Sequence, residues 1–283
     1  MSVTVIGIGT MGRAVIERLS DCGVSTHVWN RSGTREVPPA TRHEDLLVAI
    51  RAATSLVIFC VTDLTAVRTI LGDVLKKSPG TITAPVVTLV SGTPDEGRAT
   101  AAFLGRIAPA LEYIDGAYCG PPTAVVTGTG MVFVSTGRPT LGVAAQRILG
   151  HLGAVHHAGP IGASRALNYA VTDHAFLAFL ALYGNAATLR AEGVPMDVYF
   201  QCVARRLEGV PPYLTRLWNA SANPGAPPTV SLGTYAHYFG AERRAYAATT
   251  GANTDVIDFC TTVLRQRGEA AANDDLSSLL SKL

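Results

Sequence analysis

Asn168, Tyr169, Thr172, Asp173 and His174 crowd into the first turns of residues 164–192, a segment without proline that is otherwise almost wholly apolar. Polar groups cost free energy to bury unless they find partners. Two explanations suit Asn168: it satisfies a backbone carbonyl inside a buried helix, or it serves a reaction. Asp173 and His174 suit interdomain contacts as well as they suit catalysis, since ion-pair networks are common and active-site carboxylates few.

A second cluster is made of glycines. The run VIGIGTMG places Gly7, Gly9 and Gly12 in G-x-G-x-x-G spacing, directly after an apolar strand and at the opening of a helix. That context is what a dinucleotide fingerprint requires. Gly7 allows the tight turn, Gly9 lets a pyrophosphate approach the backbone, and Gly12 lets the helix pack close to the sheet. The helix N-terminus then points at the phosphates.

The end of the second strand discriminates between cofactors. An acid there would hold the ribose 2′-hydroxyl of NADH. This chain has WNRSGTR instead, where Arg31 and Arg35 can pair with a 2′-phosphate and Ser32 can donate to it. No acid stands there to repel the phosphate, so NADPH is expected over NADH.

The elements that must position these residues follow from periodicity. Short apolar runs at 3–8, 24–30, 55–61, 85–91, 112–118, 130–136 and 154–159 read as strands. Helical patterns fall after the glycine turn to about residue 20, then at 45–53, 64–75 and about 95–107. The alternation predicts a parallel sheet with helices on both faces. From residue 164 the chain reads as helices only, with breaks at 193–195, 209–212 and 221–231. The expected class is α/β. Residues 1–160 form the nucleotide-binding domain, 161–193 a long interdomain helix, and 194–283 an all-helical domain for dimerisation and substrate. Ser91 and Thr93 fall at a strand end, where ligands bind in such sheets, although Thr93 equally suits a cap for the helix that Pro94 begins. His156 and His157 end a strand and read as structural.

VTVIGIGTMGRA, VWNRS, VIFCVTD, LVSGTP, IDGAYCGPP and the terminal NDDLSSLLSKL together make the chain similar to NADPH-dependent imine reductases, relatives of the β-hydroxyacid dehydrogenases and 6-phosphogluconate dehydrogenase. The resemblance runs over nearly the full length. It implies an N-terminal Rossmann domain, a long interdomain helix and a C-terminal helical domain. It also implies a homodimer with interlocked helical domains, each active site lying between one subunit's Rossmann domain and its partner's helical domain. Around the cofactor it implies Thr10, Met11, Asn30, Cys60, Val61, Thr62 and Ser91 beside the glycines and Arg31, Ser32 and Arg35. For a substrate pocket it implies Thr93, Tyr118, Pro122, Phe176, Tyr235, His237 and Tyr238.

The same resemblance bears on the opening cluster. In the β-hydroxyacid dehydrogenases the first turns of the interdomain helix carry a catalytic lysine, with an asparagine one turn on. Counting from GPIG and from AEGV, the lysine position falls on Asn168 and the next turn on Thr172. Residues four apart share a helix face, so these two are expected to point together into the cleft. An ammonium would stabilise the oxyanion of carbonyl reduction and supply its proton; Asn168 does neither. CGPP at 119–122 also replaces that subfamily's Ser-Gly-Gly carboxylate site. An iminium needs no such cation. It is already the electrophile, and an amide carbonyl can accept a hydrogen bond from its N–H. The expected reaction is therefore NADPH-dependent reduction of an imine or iminium to an amine. Tyr169 and Asp173 remain alternative proton donors. The rival readings are a carbonyl reductase of the β-hydroxyacid dehydrogenase type and a non-catalytic NADPH-binding partner protein.

Bulk composition agrees with a globular enzyme. Hydrophobic residues make up 48% of the 283 and charged ones 16%, which permits a large core and excludes global disorder. The net charge of +2 comes from scattered residues, so no nucleic-acid stripe or membrane-binding helix is expected. Five widely spaced cysteines argue against a disulfide framework or a zinc site and for thiols in a reducing cytoplasm. The first residues, MSVTVIGIGTMG, lack the basic region and cleavage site of a signal peptide.

Overall fold

The computed structural model describes residues 1–32, 37, 39–221, 232–245, 248 and 255–268. They form two compact units, Met1–His174 and Ala175–Leu283.

The first unit is a sheet with helices on both faces. Its elements in chain order are β1 (Ser2–Ile6), α1 (Thr10–Asp21), β2 (Ser25–Trp29), β3 (Thr41–Arg42), α2 (Leu46–Ala52), β4 (Leu56–Phe59), α3 (Leu64–Lys77) and β5 (Val86–Leu89). There follow α4 (Pro94–Ile107), β6 (Tyr113–Cys119), α5 (Pro122–Thr127), β7 (Gly130–Thr136), α6 (Val143–Leu152), β8 (Gly153–Gly159) and the start of α7 (Ala163–Ala191). The strands lie in the order β3-β2-β1-β4-β5-β6-β7-β8. The chain leaves β1 toward β2 and β3, then returns across β1 to β4. The order therefore reverses between β1 and β4, and a crevice opens there above the strand ends.

Period-two alternation divides the strands between two cores. Val3 and Val5 of β1, Leu56 and Ile58 of β4 and Val87 of β5 pack with α1 and α6 on one face. Ile6, Val57, Phe59 and Val86 pack with α3 and its neighbours on the other. With both faces covered, the central strands read as continuous apolar runs. Thr4 is tolerated inside because its hydroxyl donates to the Ala49 carbonyl at 2.6 Å.

One expectation needs correction. The sheet is not wholly parallel: β6 and β7 pair antiparallel, with Ile114 opposite Thr136 and Cys119 opposite Met131. A parallel crossover needs a dozen or more residues, and residues 120–129, with only the short α5 between them, cannot supply one. The division between the two compact units falls within α7, after His174. The first turns of α7 are tied into the sheet by buried hydrogen bonds described below. β3, α5 and α6 are not among the expected elements.

The second unit is helical. After the remainder of α7 come α8 (Met196–Glu208), α9 (Val210–Ser221), α10 (Leu232–His237), a π-helical turn (Tyr238–Arg243) and α11 (Asp255–Gly268). Gly193 supplies the left-handed turn that ends α7, with φ of 66°. Pro211 and Pro212 sit in the first turn of α9, where a missing N–H costs nothing. No helix among the described residues is long and apolar enough to cross a membrane.

Candidate functional site

A groove of about 640 Å³ lies at the exits of β1, β2 and β4. It is lined by Gly7, Gly9, Thr10 and Met11 of the first turn, by Asn30, Arg31 and Ser32 after β2, and by Cys60, Val61 and Thr62 after β4. Ile8, Trp29, Ala66 and Ile70 complete its walls and were not foreseen; apolar residues at strand ends or on a helix look like core in a sequence. Arg35 lies outside the described residues.

The glycines fit a dinucleotide in three different ways. Gly7 has φ of 101°, and a Cβ there would strike the backbone carbonyl of Cys60. A Cβ on Gly12 would strike the Gly7 carbonyl, so this glycine sets how closely α1 approaches the sheet. At Gly9 a Cβ would meet nothing within 4 Å, so the space in front of it is open to a ligand. Gly9 makes no side-chain cap and the first turn of α1 carries no acid. The leading N–H groups of α1 are thus presented to an anion.

These roles separate on substitution. Gly7→Ala is expected to destabilise the fold by at least about 2 kcal/mol, as left-handed strain and a backbone clash combine. Gly9→Ala is expected to leave stability within about 0.5 kcal/mol while abolishing dinucleotide binding. Urea unfolding and a tryptophan-fluorescence titration with NADPH measure both quantities.

Beyond β2, the Asn30 amide donates to the Ser32 hydroxyl at 2.6 Å, which orders the turn beside the exposed Arg31. The Asn30 Oδ1 accepts from the Ile8 N–H at 3.4 Å and ties that turn to the glycine loop. Burial pushes the Cys60 thiol up to about 12, so it stays protonated and serves as a neutral wall.

A smaller cavity of about 110 Å³ adjoins the groove, and Met11 lines both. Leu89, Val90, Ser91 and Gly92 form one wall, Ala117 and Tyr118 another, and Arg165, Asn168 and Tyr169 of α7 the third. Residues 165, 168 and 169 are spaced i, i+3, i+4, which is one face of a helix. Tyr169 therefore shares the cavity with Asn168. Thr172 is exposed, is not among the lining residues, and lies with Oγ1 3.9 Å from Cys119 Sγ. Asp173 is exposed and also outside the lining.

Two groups in this cavity have opposite hydrogen-bond status. Tyr118 is committed: its hydroxyl donates to the Leu152 carbonyl at 3.2 Å, and desolvation raises its pKa. Asn168 Oδ1 is buried and accepts no hydrogen bond. Arg165 supplies the cation, but it is bound to Asp115 at 2.7 Å with both side chains essentially inaccessible.

The other expected pocket residues belong to both units. Thr93 and Glu96 form a capping box at the start of α4, with Glu96 accepting from the Thr93 N–H at 2.8 Å. These hydrogen bonds hold the Glu96 carboxyl below its ordinary pKa. Pro122 opens α5. In the second unit, Phe176 of α7 is 62% exposed, the Tyr235 hydroxyl lies 3.2 Å from that of Tyr213, and His237 faces Glu242 at 3.5 Å. Tyr238 packs edge-on to Phe239 at 5.0 Å.

Comparison with known proteins places this geometry. An NADPH-dependent reductive aminase of Aspergillus oryzae is 29% identical over 126 residues, which spans 44% of this chain and 41% of that enzyme. The imine reductase of Aspergillus terreus, solved with NADPH4 and dibenz[c,e]azepine, superposes with a TM-score of 0.82 at 22% identity, over 100% of this chain and 99% of that one. The imine reductase of a Pseudomonas species gives 0.84 at 20% identity, over 99% and 98%. Residues 2–154, more than half of the chain, match the family described as the NAD binding domain of 6-phosphogluconate dehydrogenase. The glycine turn, the crevice at the strand reversal and this match agree: the chain belongs to the family of the 6-phosphogluconate dehydrogenase NAD-binding domain.

Proposed function

We propose that the protein reduces a C=N bond, converting an imine or iminium to an amine with NADPH. The observation that carries this reading is the buried, unpartnered Asn168 Oδ1 beside the dinucleotide groove. A buried acceptor calls for a donor, and an iminium N–H is one whereas a ketone oxygen is not. Among the described residues the only cation lining the cavity is Arg165, which is spent on Asp115. No cation among the described lining residues is free to stabilise the oxyanion that carbonyl reduction develops.

NADPH, when bound, supplies the hydride. Gly7, Gly9 and the N-terminus of α1 receive its pyrophosphate, and Arg31 and Ser32 its 2′-phosphate. Asn168 orients the substrate nitrogen by accepting its N–H. Because the iminium arrives protonated, hydride addition at carbon yields the neutral amine with no proton from the protein. Ser91, Tyr118 and Tyr169 shape the cavity, and Met11 separates it from the cofactor groove. The reductive aminase and the imine reductases above support the same chemistry. The five cysteines are free, which supports a reducing cytoplasm as the place of action.

The test is oxidation of NADPH with a panel of cyclic imines, followed by ketones. Turnover with imines alone is expected. Turnover with ketones alone would favour the carbonyl reductase, and tight NADPH binding without turnover the idle partner protein.

We further propose a homodimer joined through the helical units, so that the partner's helices complete the site. Phe176, Phe179 and Tyr183 of α7 are 62%, 68% and 74% exposed, Trp218 of α9 is 66% exposed, and α8 buries no residue. A stripe of large apolar side chains facing water marks an interaction surface. Such interfaces bury roughly 2,000 Å² or more. Light scattering is expected to show a dimer at micromolar concentration; a stable monomer would remove the shared site.

A further inference from the structure

Among the described residues Arg165 is the largest fully buried side chain, 1% exposed, and the proposed reaction gives it no role. Its Nε donates to Asp115 Oδ1 at 2.8 Å, its Nη1 to the Val90 carbonyl at 2.7 Å and its Nη2 to the Thr88 hydroxyl at 3.3 Å. Asp115 Oδ2 accepts the Gly162 N–H at 3.0 Å, and the Ser164 hydroxyl donates to the Asp115 carbonyl at 2.9 Å. The Ser164 N–H donates to the Ser135 hydroxyl at 2.8 Å. β5, β6, β7 and the first turn of α7 are thereby tied at one point. Even α4 makes room: a Cβ on Gly97 would lie 2.6 Å from Asp115 Oδ2 and 2.9 Å from Arg165 Nε.

Stability alone is a poor reason for such a pair. Desolvation offsets most of what a buried ion pair gains, and apolar replacements are often neutral. Geometry offers a better one. Val90 immediately precedes Ser91 and Gly92, which line the small cavity, while Asn168, three residues beyond Arg165, lines it from α7. One guanidinium thus fixes both walls and the distance between them.

We propose that Arg165, held by Asp115, is the positioning residue for Asn168: it sets the first turns of α7 against the β5 exit so that the amide meets the substrate nitrogen. The inference rests on the reading of Asn168 given above. Arg165 spends its donors on Asp115, Val90 and Thr88 and is not among the residues lining the dinucleotide groove, so its loss should act on turnover and not on cofactor affinity.

The test uses the full-length protein as Arg165→Met, Arg165→Lys and Arg165→Met combined with Asn168→Ala. Arg165→Met is expected to lower kcat for a cyclic imine about 10-fold or more, the loss of an oriented charge-assisted bond, with the Kd for NADPH within about twofold. In the Asn168→Ala background the same change should cost less than about threefold, because residues acting through one another are not additive. Arg165→Lys can still meet Asp115 but cannot span to Val90 and Thr88 together; because the buried carboxylate stays paired, it is expected to lower the melting midpoint less than Arg165→Met does and to show an intermediate loss of kcat. Unchanged kcat in Arg165→Met, or losses that multiply in the double variant, would overturn the proposal. Hydrogen exchange over residues 163–172 gives a readout independent of turnover. Faster exchange there, with NADPH binding retained, is expected in Arg165→Met and also in Arg165→Lys; unchanged exchange in both would contradict it even if the wild-type protein reduces no imine.

Discussion

Asn168→Lys is expected to abolish imine reduction. The substitution sets an ammonium against an iminium in a cavity of about 110 Å³. Two unit charges about 4 Å apart repel by about 4 kcal/mol at an effective dielectric of about 20, which is about a thousandfold in rate. Asn168→Ala removes only an acceptor and should lower kcat about 10- to 100-fold, as expected for one oriented hydrogen bond in a desolvated site. Asn168→Asp should retain activity, since a carboxylate holds the cation at least as well. An amide does not titrate, so any acidic limb of the pH–rate profile should survive Asn168→Ala. Steady-state kinetics with one cyclic imine ranks the four proteins. Unchanged turnover in Asn168→Ala beside a dead Tyr169→Phe would move the chemistry to the tyrosine that shares the cavity.

Arg31→Ala is expected to raise the Michaelis constant for NADPH far more than that for NADH. Arg31 lines the groove after β2, in a turn ordered by Asn30 and Ser32, and no acid among the described residues lines that groove. A charge-assisted hydrogen bond to a phosphate is worth roughly 1.5–3 kcal/mol, or about 10- to 150-fold. Preference of the unmodified protein for NADH would remove the 2′-phosphate assignment.

What the sequence shows clearly is local. A glycine turn between an apolar strand and a helix announces itself within eight residues, and Gly7, Gly9 and Met11 line the groove where that reading puts them. The strand runs are also legible, because burial on both faces leaves unbroken apolar stretches such as Leu56–Phe59. What depends on connection length or on distant partners is not. The antiparallel pairing of β6 with β7 hides because strand direction follows from the length of the connection 120–129 and not from any residue pattern within the two strands. Arg165 and Asp115 are separated by 50 positions, and neither reveals the other. A signal was available all the same: an aspartate inside the buried strand β6 and an arginine at the head of an apolar helix each require a partner. The face of α7 that meets the cavity, through residues 165, 168 and 169, is set by that pair; spacing alone equally allowed 168 with 172.

The most direct test of the account follows the hydride. The protein is incubated with a cyclic imine and NADPH deuterated at both C4 positions, and the amine is analysed by mass spectrometry and NMR. The account predicts one deuterium in the amine, on the carbon that carried the C=N bond, and loss of that product in Asn168→Lys. Absence of labelled amine while NADPH binds tightly, or deuterium in an alcohol formed from a ketone supplied instead, would contradict it.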